Sequence, residues 1–242
     1  MRIGAIYPMT DLGGSPTAIR RIGLLVEQLG YDHLLAYDHT LGAEHSARSP
    51  SLTGPYDEND PFHDPFVMFA YLAGITVRIR FFTGVLILPQ RQTALVARQA
   101  ADVALLSDNR LTLGVGVGWN YVEYGALGQT FERRGRRIEE QIPLLRRLWT
   151  EPVVDFLGTF DAIDRAGIPP RPTQPIPIWM GGYTKAAMRR AVEMADGFLF
   201  FGNDESTAAQ WTHLKAMLAE AGRPIEGFGA SRLFREIGRA HV

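Results

Sequence analysis

The chain has 242 residues, a formal net charge of −1, and 46% apolar against 21% charged residues, a globular composition with enough length for one large core. Near-neutral charge leaves no electrostatic footprint for nucleic acid. The absence of cysteine excludes disulfides, thiolate nucleophiles, zinc–thiolate sites and iron–sulfur clusters, and points to a reducing cytoplasm.

Met1-Arg2-Ile3 leads straight into a strand pattern over Arg2 to Tyr7, so no secretory leader is expected. No apolar run approaches the roughly 20 residues of a membrane helix. Ser15-Pro16 is a helix start, followed by Ile19, Ile22, Val26 and Leu29 on one face and Gly30 at the end. His33 to Tyr37 reads as a second strand closed by Asp38-His39, and a polar loop follows from Leu41 to His63. Asp64-Pro65 caps a helix carrying Phe66, Phe69 and Leu72 and stopped by Gly74. Phe81 to Leu88 is an almost wholly apolar third strand, as strands covered on both faces are. Val96, Ala100 and Val103 mark the next helix, and Arg110 to Asn120 carries the fourth strand.

An arginine-rich helix is predicted from Phe131 to Trp149. Glu132, Glu139 and Glu140 interleave with its arginines, which favours a solvated face over a phosphate patch, and Pro143 should kink or shift it. Val153 to Pro175 reads as an irregular, proline-rich excursion. The pattern then continues as strand Ile176 to Met180, helix Thr184 to Ala195, strand Gly197 to Phe201, helix Ser206 to Ala221 and a weaker seventh strand from Ile225 to Phe234.

This alternation implies α/β architecture with a parallel sheet and right-handed crossovers. Polar and glycine residues gather at the C-terminal ends of several strands, which favours a TIM (β/α)8 barrel over an open doubly wound sheet. The count stops at seven strands. Ile237 to Val242 is what the sequencing-adapter DNA ATCGGAAGAGCACACGTC encodes, so 236–242 is expected to be a non-native tail after a gene cut near Arg235. On that reading 1–235 is a single barrel domain, C-terminally truncated, without its last helix and eighth strand. The alternative is a genuine short C-terminus.

Four stretches could carry chemistry. In the fourth strand Gly114, Gly116 and Gly118 recur at a spacing of two, so they share one face. Three glycines there cost packing and backbone entropy, and the bare face reads as the floor of a cofactor pocket for something flat. A dinucleotide fingerprint fails on spacing, because Trp119 or Tyr121 stands where its third glycine belongs. Asp38-His39 at a strand end places an imidazole toward a pocket, where it can move a proton or bond a substrate, or it simply caps the turn. His39, Glu44, His45 and His63 match no metal-ligand spacing, so no metal is expected. Thr83-Gly84-Val85 breaks the third strand with a glycine, as a bulge toward a ligand or as barrel curvature. Met180-Gly181-Gly182-Tyr183-Thr184 puts two glycines and a hydroxyl ahead of a helix N-terminus, which suits a phosphate or is plain turn chemistry.

Taken together, Asp38-His39, Thr83-Gly84-Val85 running on to Leu88-Pro89-Gln90-Arg91, Gly114 to Asn120, and Ile178-Trp179-Met180-Gly181-Gly182 resemble the luciferase-like monooxygenase superfamily, nearest its coenzyme F420-dependent oxidoreductase branch. The resemblance covers the chain to about Phe234. It implies a luciferase-like TIM barrel, usually dimeric, holding a flavin or deazaflavin at the C-terminal face. It further implies that Gly84-Val85 is a non-prolyl cis peptide forming, with Thr83, a bulge behind the ring. Asp38 would hydrogen-bond the ring's polar edge and His39 would lie near the hydride-transferring carbon. Gly116 and Asn120 would line the cofactor channel, and Gly181, Gly182, Tyr183 and Thr184 would hold the phosphate. Trp119 departs from the glutamate that sugar-phosphate dehydrogenases of this branch place there, so an apolar or aromatic small-molecule substrate is expected instead. The expected activity is hydride transfer with F420. The alternatives are an FMN-dependent monooxygenase using O2, served by a flavin or F420 reductase, and, from another class, a non-catalytic ligand-binding barrel. The expected assembly is a homodimer in the cytoplasm, with no nucleic-acid or membrane partner.

Overall fold

Local capping chemistry sets most helix starts. The Ser15 hydroxyl accepts from Ala18 N at 3.3 Å with Pro16 in the first turn of α1 (Pro16–Gln28). Asp64 Oδ1 accepts from Phe66 N and Val67 N at 2.9 and 3.1 Å ahead of α2 (Pro65–Ala73). The computed structural model describes residues 2–233, and the expected non-native tail at 236–242 lies outside them. The described residues fall into two units divided between Ile178 and Trp179.

In the first unit β1 (Gly4–Ile6), β2 (His33–Ala36), β3 (Arg80–Thr83) and β5 (Leu111–Gly116) lie in that order, each parallel to its neighbour, and the two-residue β4 (Leu86–Ile87) also pairs with β5. The register sets Ala36 against Thr83 and Ile87 against Gly116, so the strand ends of β2 to β5 come together. Leu34, Leu35, Phe81, Leu111, Leu113 and Val115 are buried in the sheet, beneath α2 and α3 (Thr93–Leu106). Phe69 of α2 stacks on Phe81 with ring centres 5.1 Å apart. Burial of these faces is the main stabilising term, worth about 25 cal/mol for each Å² of apolar surface.

Three sequence expectations change here. The third strand is not continuous: it stops at Thr83, passes through a cis Gly84-Val85 peptide and resumes as β4. A short helix, α4 (Tyr121–Ala126), follows β5, and α5 (Arg134–Thr150) runs through Pro143 as one helix. The excursion after α5 holds an antiparallel hairpin, β6 (Val154–Leu157) with β7 (Ala162–Ala166). Its turn is held from outside, where Glu140 of α5 accepts from the backbone N–H of Thr159, Phe160 and Asp161 at 2.7 to 2.9 Å.

In the second unit β8 (Ile178–Gly182), β9 (Gly197–Phe200) and β10 (Gly229–Arg232) are parallel in that order, with α6 (Lys185–Met194) and α7 (Asp204–Glu220) as connections. Asn203 caps α7 through Ser206 N, and the helix begins at Asp204, two residues before the expected start. Among the described residues no helix is long and apolar enough to cross a membrane.

Candidate functional site

The tip of β2 delivers Asp38 and His39 to different surroundings. The Asp38 side chain is fully enclosed. Its oxygens accept from Ile87 N at 2.9 Å and from Arg91 Nη2 at 2.7 Å and Nε at 3.4 Å. Arg91 also reaches Asp64 at 3.1 Å. Burial alone would lower the Arg91 guanidinium, but the two carboxylates hold it above its ordinary value. Asp38 therefore pins the start of β4 and ties it to Arg91.

The His39 side chain is 9% exposed, and its Nδ1 lies 3.4 Å from Glu123 Oε1, a carboxylate that is 1% exposed. The same oxygen accepts from Thr40 N at 2.6 Å and Leu41 N at 3.0 Å. The rings of Tyr56, Phe62 and Trp119 surround the imidazole, with centres 5.2, 4.8 and 5.5 Å away. His39 Nε2 makes no hydrogen bond among the described residues. His45 Nε2 instead meets Tyr56 O at 2.9 Å, and among the described residues no group of three or more His, Asp or Glu is placed to hold a metal ion.

Asn120 is buried and structural: its side chain caps α4 through Val122 N at 3.1 Å and donates to Leu41 O at 3.4 Å. Thr83 is likewise enclosed, its hydroxyl donating to Gly114 O at 2.7 Å. The glycines of the fourth strand stand in different surroundings. A Cβ on Gly114 would stand 2.0 Å from Thr83 O, and Gly118 takes a left-handed φ of +63° beside Ile87. Both glycines serve the packing of the chain on itself, and Gly116, buried at the end of β5, lies opposite Ile87. At the cis bulge Gly84 N donates to Ala36 O at 2.7 Å and Gly84 is buried, while Val85 emerges half-exposed.

In the second unit Gly181 and Gly182 end β8, Tyr183 is exposed with its ring 5.5 Å from Phe201, and the Thr184 hydroxyl caps α6 by accepting from Ala187 N at 3.1 Å. The backbone N–H groups of the first turn ahead of Ala187 face outward from a helix start, which is an arrangement suited to an anion.

Sequence reasoning passed over Tyr7, Gln90 and Glu123. The Tyr7 hydroxyl, one residue past β1, is buried without a hydrogen-bond partner, and burial pushes its phenol up. Both amide atoms of buried Gln90 also lack partners. The turn that carries Gln90 is fixed from α5, where Gln141 Nε2 donates to Leu88 O, Arg91 O and Thr93 Oγ1 at 3.0 to 3.3 Å. Buried polar groups are nearly always paired. The Tyr7 hydroxyl and the Gln90 amide, each just past a strand end, are exceptions to that rule. Glu123 had a readable signal, because Asn120 and Glu123 have the N-cap-to-third-residue spacing of a capping box.

Parallel βα units with an imidazole and buried polar side chains just past the strand ends match the layout of α/β barrels, which place their small-molecule sites at that end. The luciferase-like monooxygenase family profile matches residues 4–232, and the chain belongs to that family. An uncharacterised protein of Mycobacterium tuberculosis is 41% identical over 167 residues, 69% of this chain and 58% of its own length. The pyrimidine monooxygenase RutA of Cronobacter sakazakii is 30% identical over 176 residues, 68% of this chain and 51% of its own length. The chain thus spans only a little over half of these curated relatives. Two solved structures share the fold: an F420-dependent secondary alcohol dehydrogenase (TM-score 0.77, 19% identity, 96% of this chain and 68% of that one) and the riboflavin lyase RcaE (TM-score 0.80, 17% identity, 97% and 62%).

Proposed function

We propose that the chain is part of an oxidoreductase that exchanges a hydride between coenzyme F420 and an apolar or aromatic organic substrate, with His39 moving the accompanying proton. The observation that carries this reading is the His39 imidazole, 9% exposed among aromatic rings, its Nδ1 3.4 Å from the Glu123 carboxylate and its Nε2 free to meet a substrate. When bound, the deazaflavin supplies the carbon that takes or gives the hydride. Val85, Gly116, Tyr7 and Gln90 would hold the ring, and in the second unit Gly181, Gly182, Tyr183 and Thr184 suit a phosphate. His39 Nε2 takes the proton from the substrate oxygen as the neighbouring carbon gives up its hydride, and returns it in the reverse direction; a positioned general base of this kind contributes roughly 10²–10⁴-fold. Tyr56, Phe62 and Trp119 exclude water from the imidazole and favour an apolar substrate face.

A second reading is an FMN-dependent monooxygenase that relies on a separate reductase, and the 30% identity to a pyrimidine monooxygenase supports it. Titrating the purified protein with F420 and with FMN, followed by fluorescence, decides between them. Saturable F420 binding at a lower concentration than FMN is the expected result. Tight FMN binding with no F420 binding overturns the first reading in favour of the second.

A further inference from the structure

We propose that Glu123 is a positioning residue that fixes the tautomer of His39, keeping the proton of the neutral imidazole on Nδ1 and the lone pair on Nε2. This rests on His39 being the proton-transfer residue of the reaction above. Glu123 reaches the imidazole from another element: it lies in the first turn of α4, while His39 follows β2. Its Oε1 is a pure acceptor that already takes two backbone N–H groups, from Thr40 and Leu41. These bonds hold the carboxylate still and tie the chain directly after His39 to it. At 3.4 Å from that oxygen, a lone pair on Nδ1 would face negative charge, whereas an N–H there is attracted to it. Tight burial of Glu123 leaves little water to screen the difference. Which ring nitrogen carries the proton is set by what the other atom faces, so Nε2 of the neutral ring is left as an acceptor. An Nε2 lone pair recognises a substrate O–H or N–H on the carbon that loses hydride. It does not recognise a bare carbonyl. The substrate class is therefore an alcohol or amine in the oxidising direction.

The test is nitrogen-15 NMR of histidine-labelled protein without cofactor or substrate, at about pH 9, above the ordinary imidazole range, with the His39 signals assigned from a His39→Gln variant. The expected wild-type pattern is a protonated Nδ1 and an unprotonated Nε2. Glu123→Gln, whose amide oxygen can still accept at the same place, should retain that pattern, and Glu123→Leu should move the proton to Nε2. A wild-type ring protonated on Nε2 alone overturns the proposal, whether or not Glu123→Leu folds, and so does an unchanged tautomer in folded Glu123→Leu. Because no cofactor is present, this failure is distinct from failure of the catalytic reading, which would appear as cofactor-dependent activity untouched in His39→Gln.

Discussion

At the scale of single residues, two titrating groups tie the fold to pH. Glu27 of α1 accepts from the backbone N–H of Val77, Arg78 and Ile79 at 3.0, 2.6 and 2.8 Å. Partial burial acts to raise its carboxyl, but the three amides outweigh it and hold the group below the ordinary carboxylate range. The stability this contributes is present in full above the ordinary carboxylate pKa and is lost as pH falls through it toward the lowered folded value. His33 acts at higher pH. Burial pushes its imidazole below the ordinary value, so the unfolded chain takes up a proton that the folded ring resists, and stability declines as pH drops through the ordinary imidazole range. Urea midpoints of the wild-type protein should therefore fall in two stages on acidification, and Glu27→Gln should lack the lower one. Parallel wild-type and Glu27→Gln profiles between about pH 5 and 3 would contradict the role given to Glu27.

At the scale of elements, α5 makes a prediction of its own. Pro143 sits inside it and is exposed, where proline removes one backbone bond and crowds the preceding turn at a cost of about 3 kcal/mol against alanine. The helix persists because Ile138, Ile142, Leu145, Leu148 and Trp149 are buried along its other face. Pro143→Ala should raise stability by about 1–3 kcal/mol, the lower figure allowing for the freer unfolded chain, read as a higher urea midpoint with unchanged slope. A lower midpoint would mean the proline fits a bend that the packing needs. The helix runs on through the proline because tertiary burial of its other face outweighs a local rule. Caps at Ser15, Asp64 and Thr184 were legible because each is a local hydrogen bond written in consecutive residues. The β6–β7 hairpin was not, because Glu140, 19 to 21 residues away, satisfies its turn amides. At the site the same division holds: His39 could be picked out from its strand end, but the enclosure of Asp38 by Arg91 and of Asn120 by Leu41 depends on partners 53 and 79 residues distant.

At the scale of the whole molecule, the orphaned Tyr7 hydroxyl and Gln90 amide bear on stability as well as on binding. A buried polar group without a partner costs about 1–3 kcal/mol, and a ligand that supplies the missing partner recovers it only in the folded state. Any ligand that binds the native chain alone stabilises it by about 2.7 kcal/mol at 100 times its Kd. For a chain of 242 residues, that corresponds to a rise in Tm of roughly 5–10 °C. F420 in such excess should produce this shift, growing with the logarithm of concentration, and FMN at equal concentration should produce a smaller one. Tyr7→Phe removes the orphan while keeping the ring, so the ligand-free variant should melt higher than wild type and gain less from F420. If both ligands leave Tm unchanged in wild type, the orphaned groups do not meet a redox ring, and the barrel is better read as binding another class of small molecule. If F420 shifts wild type and Tyr7→Phe equally, Tyr7 stands apart from the ring and Gln90 alone carries the fit.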